Sequence, residues 1–388
     1  MNFAFLSSAS LTAVVALFVA IPAHADDQFQ AVVDAAVEPV MAEHGIPGMS
    51  VAVLVAGQRH VFHYGVASRE TQVAVNDRTI FEIGSLSKPF TATLGAVLQA
   101  EGAVDLSASA QNLMKELQGN PIGGASLLEL ATYNAGGLPL QFPGGVDESN
   151  FADWYRGFEP STTIGESRLY SNPSIGLFGH LVAKAAGRPF GELLRAKVLA
   201  PLELTDTFLT VPDEGAQDYA QGYTRDNKPV RVKPGLFDKE AYGIKTTAAD
   251  FLRFVEASMF KSAGTGSLAE GLRTARSGVY RMNAMHQGLG WELYPAPARL
   301  SDLLQGADPA FVLEPNSVET VDGLVSDRSL VGTVSKTGST GGFGAYALYS
   351  PERGTAIVML ANRFWSNPLR IKTAYAILSE LDPGFAAH

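Results

Sequence analysis

The sequence contains no cysteine. That one absence removes disulfides, thiolate zinc sites and a thiol nucleophile together. Other cofactor signatures are missing as well. No His-Glu-x-x-His pair occurs, and no Gly-x-Gly-x-x-Gly opens a βαβ unit. The seven histidines are scattered. His60 and His63 lie three apart on an expected strand, so they point to opposite faces and cannot share a metal. All seven read as surface or core residues, and no metal or cofactor is expected. Charged residues make up only 18% of the chain, with a net charge of −10. An acidic surface argues against nucleic acid as a partner.

Long apolar runs are scarce too. The one that exists spans Phe3 to Ile21, and Ala23-His-Ala25 follows it as an A-x-A cleavage pattern before Asp26-Asp27. Residues 1–25 therefore read as a secretory signal peptide, although the usual basic residue near its start is absent. No later segment has the eighteen or so apolar residues that span a bilayer, so no membrane segment is expected in the mature form. Exported yet free of cysteine, the chain fits a bacterial periplasm, and its stability must come from a sizeable core. A hydrophobic content of 46% suits one large or two modest cores.

Periodicity predicts the organisation. Asp26 to Glu43 reads as a helix with Val33, Val37, Val40 and Met41 on one face. Pro39 within it predicts a kink or a break into two pieces. Met49–Ala56 and Gln58–Val66, joined at Gly57, read as a β-hairpin. Ser50 within it is a strand residue and no nucleophile elbow, because no glycine follows two places on. Helices are expected at Thr91–Gln99, Ser126–Tyr133 and Ile175–Ala186. Leu202 to Lys233 has no sustained period and reads as a long ordered loop bordering a functional site. Strands return at 332–336, 346–349 and 355–360, and a helix closes the chain at Leu369–Leu381. The pattern predicts an α+β fold. An antiparallel sheet flanked by terminal helices (26–85 and 205–388) would pack on a mainly helical insert lobe (86–204), with the active site between them.

The insert begins at Phe81-Glu-Ile-Gly-Ser-Leu-Ser-Lys-Pro-Phe90, where an apolar run turns into a helix. On that helix Lys88 would share a face with Ser85. A serine hydroxyl needs a neighbouring base to act as a nucleophile, and a deprotonated lysine can serve. The motif alone is weak. A second copy, Ser258-Met-Phe-Lys261, ends an ordinary amphipathic helix and reads as structural. Two further triplets add weight, each present once. Tyr170-Ser-Asn172 offers a phenol, which becomes a base when cations lower its pKa. Lys336-Thr-Gly338 ends a strand, where Gly338 would keep clear the space beside Lys336 for a ligand pairing with the backbone of Ser339. The glycine-rich continuation to Gly344 is no phosphate loop, because no lysine follows at the required spacing.

In the order S-x-x-K, Y-x-N, K-T-G, the three motifs resemble those of class C (AmpC-type) serine β-lactamases. The likeness extends through 81–93, 127–143, 169–179, 240–245, 287–292 and 334–344. It implies that Ser85 is the acylated nucleophile, Lys88 its proton partner, and Tyr170 the base for the deacylating water. Which of Lys88 and Tyr170 takes the first proton is disputed within the family. The backbone N–H groups of Ser85 and Ser339 would form the oxyanion hole. Gln141 and Asn172 would hold the acyl side-chain amide, with Tyr242 lining that pocket. Lys336, Thr337, Asn367 and Arg370 would face the substrate carboxylate. The implied partner is a small β-lactam, and the implied state a monomer. The departures are Ser171 for alanine, Leu86 for valine, Ser335 for histidine, and Phe364 where many members carry asparagine near the carboxylate. The chain has no Leu-Asn pair, so the deacylating glutamate context of class A is absent. A D-alanyl-D-alanine carboxypeptidase or esterase on the same fold is the nearest rival. A non-catalytic wall-fragment binder is a more distant one.

Overall fold

The structure is a computed structural model that describes residues 24–259, 265–297, 299–325 and 332–386. The leader expected at 1–25 lies outside these residues except for its last two, and so does Lys261 of the second Ser-x-x-Lys match. Helix α1 (His24–His44) leads into the hairpin β1 (Gly48–Val55) and β2 (Gln58–Gly65). A short strand β3 (Phe81–Glu82) precedes helices α2 (Lys88–Ala100) and α3 (Asn172–Ala185). Then come α4 (Asp238–Ala241), β4 (Lys245–Thr246) and α5 (Ala248–Met259). The remaining strands of the large sheet are β5 (Gly278–Met282), β6 (Met285–Gln287), β7 (Glu292–Tyr294), β8 (Glu319–Val325), β9 (Thr333–Ser339), β10 (Gly344–Ser350) and β11 (Thr355–Ala361). Helix α6 (Asn367–Leu381) closes the chain.

Nine of these strands form one antiparallel sheet in the order β8-β5-β6-β7-β9-β10-β11-β1-β2. Its first and last chain segments thus meet at β1 and β11. The central strands are buried on both faces, which explains why they read as apolar runs rather than as alternation. The two-residue period still sorts them. Met49, Val51, Val53, Ile357 and Met359 pack with Val33 and Val37 of α1 and Ile371 and Ile377 of α6. Ala52, Leu54, Val358 and Leu360 face a second core with Phe90 and Leu94 of α2 and Phe251 and Phe254 of α5. The fold is α+β, as the sequence predicts.

Helix α1 runs unbroken through Pro39. Pro39 is exposed, so the carbonyl it leaves without an amide partner is open to water. Ser258 is settled as structural: its hydroxyl donates to Phe254 O at 2.9 Å within α5. The 202–233 segment is ordered around two-residue strands at Gly222–Tyr223 and Pro229–Val230. His63 bonds Ser50 Oγ and Asp77, whereas the His60 ring meets Phe29 of α1, so the two do lie on opposite faces.

Helix α2 is buried all along Lys88 to Leu98, as befits a helix apolar on every side. Its neighbour α4 is fastened to it where Thr91 Oγ1 donates to Glu240 O at 2.6 Å. The Glu240 side chain is itself buried, which pushes its carboxyl up to about 7. The folded value lies above the unfolded one, so this contribution to stability is full below about pH 4.5 and lost as pH rises through 7. Glu240→Gln should therefore gain stability on the wild type between pH 4.5 and 8, by up to about 3 kcal/mol. Urea midpoints at both pH values check this. A difference that does not change with pH would place the Glu240 carboxyl at its ordinary value.

Candidate active site

Ser85 sits in a tight 3₁₀ turn, Gly84–Ser87, that runs directly into α2. The turn crosses β9 at a distance only glycine permits. Gly84 has a φ of +53°, and a Cβ on it would lie 2.4 Å from Ser339 N and O. A Cβ on Gly338 would lie 2.0 Å from Ile83 O. The sequence predicts that Gly338 clears room for a ligand; the room it leaves is taken by the turn that carries Ser85 instead. That close crossing sets the Ser85 backbone beside the Ser339 backbone.

Lys88, fully buried at the first position of α2, donates from Nζ to Ser85 Oγ at 3.0 Å. It also donates to Asn172 Oδ1 at 2.6 Å and to Ala241 O at 2.9 Å. Three acceptors fix its position without any carboxylate in contact. Burial pulls its ammonium below the ordinary lysine value, with Tyr170 opposing. Lys336 has the opposite balance. Burial lowers it, but Glu292, whose Oε1 it meets at 2.9 Å, and Tyr170 outweigh burial and raise it.

Tyr170 lies between the two ammonium groups, which stand 4.9 Å (Lys88) and 4.8 Å (Lys336) from its ring centroid. Its hydroxyl makes no hydrogen bond of regular geometry among the described residues, yet Lys88 and Ser85 lie near enough to favour the phenolate beside the charge of Lys336. Burial pushes the phenol up, and Lys336 and Lys88 together bring it below its ordinary value. Magnitudes make this reasonable. Unit charges about 5 Å apart interact by about 3 kcal/mol at an effective dielectric near 20. Each 1.4 kcal/mol moves a pKa by about one unit, so two cations offset a burial penalty of several units.

Behind this cluster lies a set of buried charges that sequence reasoning missed. Arg168, fully buried, stacks 5.5 Å from both the Tyr170 and Tyr133 rings. It donates from Nε to Gln287 Oε1 at 3.0 Å and approaches Glu292 Oε1 at 4.0 Å. A charged residue inside the apolar run Trp291-Glu-Leu-Tyr294 was the available signal for Glu292.

The cleft, about 520 Å³, is lined by Ser85, Gln141, Tyr170, Asn172, Tyr242, Lys336, Thr337, Gly338, Ser339 and Asn367 among others. Ten of the twelve expected site residues therefore meet there; Lys88 lies just beneath. Arg370 is placed differently. It is fully buried under β9, donates from Nη1 to Gly338 O (2.7 Å) and Ser339 Oγ (2.9 Å), and does not line the cleft. Its reach to a ligand runs through Ser339. Phe364 caps it, with the guanidinium carbon 5.2 Å from the ring centroid. Leu140, Val232, Lys233, Glu292, Gly306, Ala307, Val312, Leu313, Thr340 and Gly341 complete the walls and were not anticipated one by one.

The edge of β9 is open where it matters. Its ladder with β7 ends at the Glu292–Ser335 pair, while that with β10 continues to Ser339. Past Ser335 the strand can take an extended ligand on the cleft side. Ser171 also finds a role. It caps α3 by accepting from Ser174 N at 3.0 Å, and its hydroxyl donates to Pro139 O at 2.7 Å. With Asn172 N bonding Leu140 O at 3.0 Å, this ties down the stretch that carries Gln141.

A family model described as beta-lactamase matches residues 33–382. The chain belongs to the beta-lactamase family. Its class C (AmpC-type) likeness shows in a solved structure that resembles it. A beta-lactamase of Pseudomonas fluorescens is 44% identical over 90% of this chain and 98% of that one. A beta-lactamase of Escherichia coli K12 is 38% identical over 92% and 95%. Among solved structures, the D-alanine carboxypeptidase AmpC of Burkholderia cenocepacia superposes with a TM-score of 0.86 at 37% identity, covering 91% of this chain and 99% of that one. In this beta-lactamase family member, S-x-x-K, Y-x-N and K-T-G thus converge on one cleft.

Proposed function

We propose that this protein hydrolyses β-lactams through an acyl-enzyme on Ser85. The observation that carries the reading is the 3.0 Å bond from Lys88 Nζ to Ser85 Oγ, beside a phenol held between two buried cations. Ser85 Oγ attacks the lactam carbonyl carbon as its proton leaves for Lys88 or Tyr170. The tetrahedral oxyanion is held by the N–H groups of Ser85 and Ser339, each such donor being worth about 10² to 10³ in rate. The ring C–N bond then breaks and its nitrogen takes a proton. Gln141 and Asn172 hold the acyl side chain against Tyr242, and Lys336, Thr337 and Asn367 receive the substrate carboxylate, with Arg370 acting through Ser339. Water, deprotonated by Tyr170, attacks the ester carbon. The ester C–O bond breaks and Ser85 regains its proton. No metal or cofactor takes part in these steps.

The second reading is D-alanyl-D-alanine carboxypeptidase activity, favoured by the Burkholderia cenocepacia AmpC, which carries that name. In this reading the same ester forms with loss of the terminal residue. A chromogenic cephalosporin separates the two. Sustained product beyond one equivalent is expected; a single stoichiometric burst favours the carboxypeptidase, and no reaction overturns the acyl-enzyme reading of this substrate. We place the enzyme in the periplasm, exported by the leader at 1–25. Among the described residues no helix is long and apolar enough to cross a membrane.

A further inference from the structure

Glu82 ends β3, three residues before the nucleophile, and is 1% exposed. A buried carboxylate is costly unless donors surround it. Here three do. Oε1 accepts from Tyr219 Oη at 2.6 Å and from Val232 N at 2.8 Å, and Oε2 accepts from Thr340 Oγ1 at 2.5 Å. The donors come from separate parts of the chain, and two of them, Val232 and Thr340, line the cleft.

Each bond ends on something the chemistry needs. Thr340 directly follows Ser339 and opens the turn to β10, with its own N–H on Phe343 O at 3.1 Å. Holding Thr340 therefore sets the direction of the Ser339 N–H. Val232 and Tyr219 belong to the long 202–233 segment, and Val232 shares the cleft wall with Tyr242. Holding these two sets the width of the acyl side of the cleft. The charged partner is Lys245, paired with Glu82 in the β3–β4 ladder and raised by its field, though burial outweighs that field. A carboxylate used only for stability has no reason to join the 202–233 segment to the Ser339–Thr340 turn, both of which border the cleft.

We propose that Glu82 is a positioning residue, which aims the Ser339 oxyanion donor through Thr340 and fixes the acyl-side wall through Val232 and Tyr219. This rests on the acyl-enzyme reading above. The two arms predict different kinetic signatures. Thr340→Val should slow acylation of Ser85 about tenfold with the substrate dissociation constant within twofold, because a misaimed donor is felt mainly in the transition state. Tyr219→Phe should weaken binding of a β-lactam with a bulky acyl side chain several-fold more than one with a small side chain, at unchanged acylation rate. In a Glu82→Ala background both substitutions should add nothing further.

The experiment is stopped-flow acylation of the full mature protein by a bulky and a small cephalosporin, with the Ser85 adduct confirmed by mass spectrometry. Non-additivity with the rate-versus-binding split is the expected result. Both single variants within twofold of wild type in every constant, or full additivity with Glu82→Ala, would overturn the proposal while leaving the acyl-enzyme reading intact. If Glu82→Ala does not fold, the two single variants still decide it through the split. A wild type that forms no Ser85 adduct overturns the reading of the site, and this proposal with it.

Discussion

Ser85→Ala is expected to lose β-lactam turnover by about 10⁴-fold or more, since removing the nucleophile of a serine hydrolase costs nearly all of its acceleration. The fold should be untouched. The Ser85 hydroxyl receives one hydrogen bond, from Lys88, whose ammonium retains Asn172 and Ala241 O as acceptors. Equal urea midpoints with lost activity would assign the loss to chemistry. Substrate binding should persist, because Gln141, Asn172 and the open edge of β9 remain. Full activity in this variant would remove Ser85 from the mechanism altogether.

Tyr170→Phe should separate the two halves of the reaction. General-base contributions run to about 10² to 10⁴ in rate, and loss of the phenol should fall chiefly on deacylation. An adduct on Ser85 should then accumulate and be seen by mass spectrometry during turnover. The pH profile gives a second readout. Tyr170 acts as a base only when deprotonated, so wild-type turnover should fall as pH drops through its lowered pKa. The Tyr170→Phe protein should lose that acidic limb. An unchanged profile, or turnover equal to wild type, would exclude Tyr170 as the base. The substitution also removes the phenol whose field raises Lys88 and Lys336, so both ammonium groups should shift down.

Much of the fold was legible because local patterns encode it. Gln58–Gly65 and Gly48–Val55 pair as the hairpin read from apolar runs about a tight turn. The closing helix begins at Asn367, within two residues of the expected start. The break that Pro39 allowed for does not occur, because its exposure lets water reach the orphaned carbonyl. The site was legible through its three motifs, whose residues all reach one cleft or its floor.

What the sequence determined by itself was the chemistry: a serine, two lysines and a phenol in a fixed order, with thiol chemistry excluded. Only the tertiary structure decided how those groups are tuned. Lys336 meets Glu292 across 44 positions, Lys88 meets Asn172 across 84, and Glu82 meets Thr340 across 258. Gly338, read as space for a ligand, is where the turn that carries Ser85 crosses β9. The physical reason is the range of the forces. Turn and strand preferences act over a few residues and leave a local trace. Burial and Coulomb coupling depend on distance in space, and these exist only after the chain has brought remote segments within about 5 Å.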